Sequence, residues 1–282
     1  MEHPSKLLKR IGISALKSLG QNFLLHTNSL TGAEKEIILD EKILEIGPGL
    51  GAVTDFFLTR GYSMVLCEKD RSLAAYLREK YSDKIREKKL EVIESDFLKV
   101  DTEIWKKANV TQVVGNLPFY ITAPIITRVA GNMPFVQRFL FGIQKDVADK
   151  ITVPMGNSLA LYLHSLGDTR IFGPMRKGNF FPVPKVDASW VFWNRNHKVA
   201  KIDEFEIILR SAFWGKRKSL LNSLLKNPFI QAEGMEDTNE RFQKKLKKVE
   251  SVESDTVKVL LTKRADQLSF NDYLELYHYL VD

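Results

Sequence analysis

The chain has 282 residues, 44% of them hydrophobic, with 42 Lys+Arg against 35 Asp+Glu for a formal charge of +7. No apolar run approaches the roughly 20 residues of a membrane span, the N-terminus lacks the apolar core of a signal peptide, and the single Cys67 excludes an internal disulfide or a cysteine-cluster zinc site. A cytoplasmic, folded protein without a metal site is expected, and the basic excess suits a polyanionic partner because each neutralised phosphate releases a counterion.

In chain order, the first strand candidate is Ile43-Leu44-Glu45-Ile46, followed by a helix over 52–59. A second strand at 63–67 leads into a helix over 72–81, and further strands are read at 90–93, 112–115, 138–142 and 188–192. Strands alternating with helices argue for a doubly wound, mostly parallel sheet. Beyond about residue 200 the pattern becomes helical, with helices at 204–226, 241–248 and 271–281 and many Lys and Arg residues. This predicts a catalytic domain over 1–200 and a small helical domain over 201–282.

Gly47-Pro48-Gly49-Leu50-Gly51 closes the first strand. Glycines there let the backbone turn sharply and approach a ligand. The string also satisfies a G-x-G-x-x-A dinucleotide pattern through Gly47, Gly49 and Ala52, although Pro48 removes an N–H that a pyrophosphate would use. Glu68 ends the second strand, where a carboxylate can accept from both hydroxyls of a ribose. Asp96 follows the third strand, placed to accept from an adenine amino group while Phe97 packs on the base. Either acid alone reads as a solvated loop residue; together they outline an adenosine pocket.

Asn116-Leu117-Pro118-Phe119 follows the fourth strand. An exocyclic adenine amine is a poor nucleophile because its lone pair is delocalised into the ring. Two acceptors, the Asn116 side-chain oxygen and the Leu117 carbonyl, can hold both its hydrogens and aim that lone pair, a pre-orientation that contributes up to roughly 7–11 kcal/mol. Pro118 stiffens the turn, and Phe119 offers a face to an extruded base. Phe180, in Phe180-Phe181-Pro182-Val183-Pro184-Lys185-Val186-Asp187, is a candidate for the other face of that base or else an ordinary core residue.

These motifs, with Gly20-Gln21-Asn22-Phe23-Leu24, Gln144-Lys145-Asp146-Val147, the basic cluster Lys216-Arg217-Lys218 and Arg264-Ala265-Asp266-Gln267-Leu268-Ser269, resemble in order the KsgA family of small-subunit ribosomal RNA adenine dimethyltransferases. The resemblance runs along nearly the whole chain. It implies a Rossmann-like class I methyltransferase with a seven-stranded sheet and a small C-terminal helical domain. It also implies S-adenosylmethionine as cofactor, held by Gln21, Asn22, Leu24, Gly47, Gly49, Glu68, Asp96, Phe97 and Asn116, with catalysis at residues 116–119. The implied reaction dimethylates N6 of two adjacent adenines in a 3′-terminal hairpin loop of small-subunit (16S) rRNA, in ribosome biogenesis. Lys216, Arg217 and Lys218 would grip RNA phosphates, and the protein would act as a monomer on the small subunit or its precursor.

Phe119 stands where the family usually has Tyr, Asp146 where it has Glu, and Leu221 where Arg is frequent. Two alternatives share most of these features: an Erm-type methyltransferase acting on large-subunit (23S) rRNA, and a non-catalytic ribosome-assembly factor with the same fold. A nicotinamide-dependent oxidoreductase would have no use for the Asn-Leu-Pro-Phe box.

Overall fold

The six apolar runs read as strands all enter one seven-stranded sheet in the computed structural model, which describes residues 4–12, 22–215, 217–226, 236–248 and 254–281. The elements begin with α1 (Pro4–Arg10), β1 (Phe23–Leu24), β2 (Lys42–Ile46), α2 (Ala52–Leu58), β3 (Met64–Glu68), α3 (Arg71–Lys80) and α4 (Ser82–Arg86). Next come β4 (Leu90–Glu94), α5 (Thr102–Lys107), β5 (Val110–Asn116), α6 (Thr122–Asn132), β6 (Arg138–Gln144), α7 (Lys145–Ile151) and α8 (Ser158–Leu166). After them lie β7 (Gly167–Met175), β8 (Phe180–Phe181), β9 (Ala188–Arg195), α9 (Ile202–Trp214), α10 (Leu220–Leu225), α11 (Glu236–Lys247), α12 (Asp255–Thr262) and α13 (Phe270–Val281).

The sheet order is β4-β3-β2-β5-β6-β9-β7. β2 to β6 run parallel, and β9 pairs antiparallel with β6. β3 is buried at every position, and β2 at all but its first. That pattern belongs to parallel strands covered on both faces. Successive strands proceed outward from β2 on one side and from β5 on the other, so the order reverses between these two strands. In open α/β sheets a ligand crevice forms at this reversal, beyond the carboxyl ends of the strands.

Local signals set the helix starts. Asp70 caps α3 by accepting from the Ser72 and Leu73 N–H groups at 2.8 and 3.0 Å, and Asn157 caps α8 in the same way. Such caps satisfy donors that the first turn leaves without partners. Gly115 has a different purpose. A Cβ there would lie 2.7 Å from the Ile46 carbonyl oxygen, so only glycine lets β5 run this close to β2.

Three strands escaped the sequence reading. β7 is an edge strand whose string Gly-Asp-Thr-Arg-Ile-Phe-Gly-Pro-Met contains no apolar run, and its Pro174 is tolerated at an edge. β1 and β8 form a two-residue antiparallel pair, Phe23 opposite Phe181 and Leu24 opposite Phe180, too short to show a pattern.

The chain clusters into two compact units, residues 1–149 with 169–195, and residues 150–168 with 196–282. A single boundary near residue 200 therefore divides the chain differently. α8 joins the second unit, where it packs against α9 and buries Leu161, Leu163 and Leu166. The expected helix over 204–226 is two helices: α9 ends at Trp214 before Gly215, and Ser219 caps the start of α10. Phe205 forms edge contacts with Phe270 and Tyr277 at 5.9 and 5.8 Å in the core of this unit. Among the described residues, no helix is long and apolar enough to cross a membrane.

Candidate active site

The loops after β2, β3, β4 and β5 line one cleft. Asn22, Leu24, Gly47, Gly49, Glu68, Asp96, Phe97 and all four residues of the Asn116–Phe119 box contribute to its wall. The sequence thus brought together residues from five separate segments. Gln21 and Lys216 lie outside the described residues.

The glycine loop is organised by a carboxylate. Glu68 Oε2 accepts from the Gly49 N–H at 3.1 Å, and Oε1 accepts from the Asp70 N–H at 2.9 Å. Burial pushes the Glu68 carboxyl above its ordinary range, although those two backbone donors oppose the shift. A loop N–H that a pyrophosphate would seek is already committed to an acid. Among the described residues the wall carries the acids Glu68, Asp70 and Asp96, with the enclosed Glu45 beside them, against Lys69 as the one cation. This lining repels phosphates and suits a cationic ligand, which separates it from a dinucleotide site.

Glu45 is almost wholly enclosed and takes a 2.6 Å hydrogen bond from the Thr54 hydroxyl. Burial raises its pKa to about 8, so it is largely neutral near pH 7. Asp96 behaves in the opposite sense. Partial burial would raise it, but the 3.0 Å ion pair with Lys69 and the Leu98 N–H outweigh burial and hold it below the usual carboxylate range. Phe97 is 5% exposed and stacks near Trp105, with ring centroids 6.2 Å apart. Burial pushes the Cys67 thiol up to about 12, which leaves it an inert wall group.

At the end of β5, Asn116 Nδ2 donates to the Asn22 carbonyl at 2.9 Å. Its Oδ1 is buried and has no hydrogen-bond partner among the described residues. Leaving a buried acceptor unsatisfied costs about 1–3 kcal/mol, which marks the oxygen as waiting for a donor. Gly142 on the adjacent strand leaves it room, since a Cβ there would stand 3.1 Å from Oδ1 and 2.8 Å from Met175 Cε. The Ile121 N–H returns to the Pro118 carbonyl at 3.1 Å, and the Thr122 hydroxyl bonds the same carbonyl. These bonds close the turn that carries Phe119, which is partly buried against the core.

Phe180, the candidate for a second stacking face, is not among the cleft-lining residues. Its side chain is 1% exposed, packed in the sheet core and held by the pairing of β8 with Leu24. Among the RNA-binding candidates, Arg217 and Lys218 are exposed, and Lys218 Nζ lies 4.2 Å from the Trp214 ring centroid.

The sequence reading assigned no role to Phe23, Glu45, Lys69, Asp70 or Tyr120, all of which line the cleft. Their neighbourhood in known motifs was the available signal: Phe23 adjoins Asn22, and a Cβ at Gly49 would stand 3.0 Å from its ring.

A family model described as ribosomal RNA adenine dimethylase matches residues 13–261. The chain belongs to the ribosomal RNA adenine dimethylase family. The expected fold class and an rRNA adenine-methylating enzyme are borne out by that membership. Among curated relatives, the small subunit methyltransferase A of Myxococcus xanthus is 32% identical over 240 residues, covering 82% of this chain and 83% of that one. Its counterpart in Listeria innocua is 30% identical and covers 99% and 95%. The fold is shared with the 23S rRNA methyltransferase ErmE (TM-score 0.64, 22% identity, 92% of this chain and 100% of that one). It is also shared with a dimethyladenosine transferase from Plasmodium falciparum (TM-score 0.67, 19% identity, 92% and 98%).

Proposed function

We propose that this enzyme dimethylates N6 of two adjacent adenines in a hairpin loop near the 3′ end of small-subunit rRNA, using S-adenosylmethionine. The unpartnered Asn116 Oδ1, buried in the wall of an acidic cleft, carries the reading. Curated relatives aligned over most of their length carry the name ribosomal RNA small subunit methyltransferase A, which favours the small subunit over the large one.

The residues fit the cofactor. Glu68 would take the ribose hydroxyls through the lone pairs left by Gly49 and Asp70, and Asp96 with Phe97 would hold the adenine. Asn22, Leu24, Gly47 and Gly49 would enclose the remainder, with the acidic wall favouring positive charge. When bound, S-adenosylmethionine supplies an electrophilic methyl group on a sulfonium.

The chain's own contribution is orientation. Asn116 Oδ1 and the Leu117 carbonyl hold the two hydrogens of the acceptor amine, and Phe119 supports the extruded base. No strong base is needed, because the amine loses its proton readily once alkylated. A loop adenine suits this cleft, since an unpaired base costs less to extrude. Arg217 and Lys218, in the helical unit, are proposed to hold RNA phosphates. Action in the cytoplasm as a monomer completes the proposal, the lone buried Cys67 suiting a reducing compartment.

Nucleoside analysis of unmethylated small-subunit rRNA after incubation with enzyme and S-adenosylmethionine tests the reaction. N6,N6-dimethyladenosine is the expected product; its absence under conditions where the RNA binds would overturn the proposal.

A further inference from the structure

The turn that follows β5 sends two consecutive aromatic side chains to different surroundings. Phe119 packs partly against the core, whereas Tyr120 is 54% exposed and still lines the cleft. Among the described residues Tyr120 has no hydrogen-bond partner. A large exposed ring stands out beside a cleft whose other aromatic members, Phe23, Phe97 and Phe119, are buried or partly buried. Lys69, the one cation among the described residues of the cleft, has a side chain 57% exposed and an ion pair at 3.0 Å with Asp96. An ammonium carries three donors, so it retains capacity for another acceptor.

A polyanion approaching this cleft meets the acids Glu68, Asp70 and Asp96, the enclosed Glu45 being largely neutral, and Lys69 offers it the opposite charge. An aromatic face and a cation at one rim are the two elements that single-stranded nucleic acids use: bases stack on the ring and the backbone follows the charge. The acceptor base occupies the Phe119 side of the turn, so Tyr120 is one residue further from the chemistry, on the solvent side.

We propose that Tyr120 is the stacking platform for the nucleotide adjoining the acceptor adenine, with Lys69 facing the phosphate beside it. The assignment rests on the adenine-methylating reading and adds the partner of an unassigned rim. It makes this part of the enzyme a selector for unstacked strands, because a paired neighbour cannot leave its own stack to reach the ring. The platform holds the flanking nucleotide, so it acts on RNA binding and not on the transfer itself.

The test uses the full-length enzyme and three hairpin RNAs, one intact and two with an abasic residue on one or the other side of the acceptor adenine. With intact RNA, Tyr120→Ala is expected to raise KM for RNA about fivefold to a hundredfold, with kcat changing less than about twofold. Tyr120→Phe, which keeps the ring, should restore most of the affinity. With abasic RNA on the relevant side, wild type should lose the same factor and Tyr120→Ala should lose nothing more. Lys69→Gln should lower the slope of log affinity against log salt by about 0.7. Equal losses for Tyr120→Ala on intact and both abasic RNAs overturn the platform, as does a Phe variant that behaves like Ala. Failure of wild type to methylate the intact RNA would instead overturn the adenine reading on which the platform rests.

Discussion

Asn116 Nδ2 donates to the carbonyl of Asn22, 94 residues earlier, and this bond leaves the Oδ1 of the same amide facing no donor. One side chain thus ties the N-terminal segment to the end of β5 and keeps an acceptor free for the substrate. Asn116→Ala should reduce methyl transfer by at least about a hundredfold, about 2.7 kcal/mol of barrier. Affinity for S-adenosylhomocysteine, read by calorimetry, should fall by less than about tenfold. Near wild-type turnover would remove the acceptor role.

Glu45 gives a prediction in pH. Its folded-state pKa of about 8 exceeds the ordinary 4.5 because of burial. The native protein therefore binds the proton more tightly than the unfolded chain. The associated stability is complete below about pH 4.5 and is lost as pH rises to about 8. Glu45→Gln cannot ionise, so its stability relative to wild type should increase by up to about 1.4 kcal/mol per pH unit within that window. Urea unfolding of both proteins from pH 4 to 9 checks this; a difference independent of pH would contradict it.

Gly115→Ala should destabilise the first unit by about 1–3 kcal/mol or more, because the new Cβ meets a backbone oxygen at 2.7 Å and not a movable side chain. Gly178→Ala, with no atom within 4 Å of its Cβ position, is the matched control. The urea midpoint should fall for the first and stay near wild type for the second. Equal midpoints would mean that β2 and β5 can separate at little cost.

Arg217→Glu with Lys218→Glu should weaken RNA binding and lower the salt slope by about 1.4–1.8, one phosphate contact for each residue. Filter binding between 50 and 200 mM salt measures it. An unchanged slope would show that these exposed residues serve only the surface.

The sheet and the cleft were legible because parallel strands buried on both faces leave dense apolar runs, and the glycine, Glu68, Asp96 and Asn116 motifs end those runs. Pairing over long sequence separations was not legible. Phe180 reads as a candidate base platform until β8 joins β1 and encloses it. Phe119 and Tyr120 are adjacent aromatics that no pattern distinguishes, and only the Pro118–Ile121 turn decides which one meets solvent. The break after α9 rests on Gly215 and the Ser219 cap within a stretch whose apolar spacing still reads as helical. Residues 150–168 cluster with the second unit through the packing of α8 against α9, a pairing that their place in the sequence does not display.

The most direct test of the central claim is transfer of labelled methyl groups from S-adenosylmethionine to unmethylated small and large ribosomal subunits, with primer extension to locate the label. Two adjacent adenines in the 3′-terminal hairpin of the small-subunit rRNA should carry it. Label confined to the large subunit, or absent from both while RNA still binds, would contradict the account.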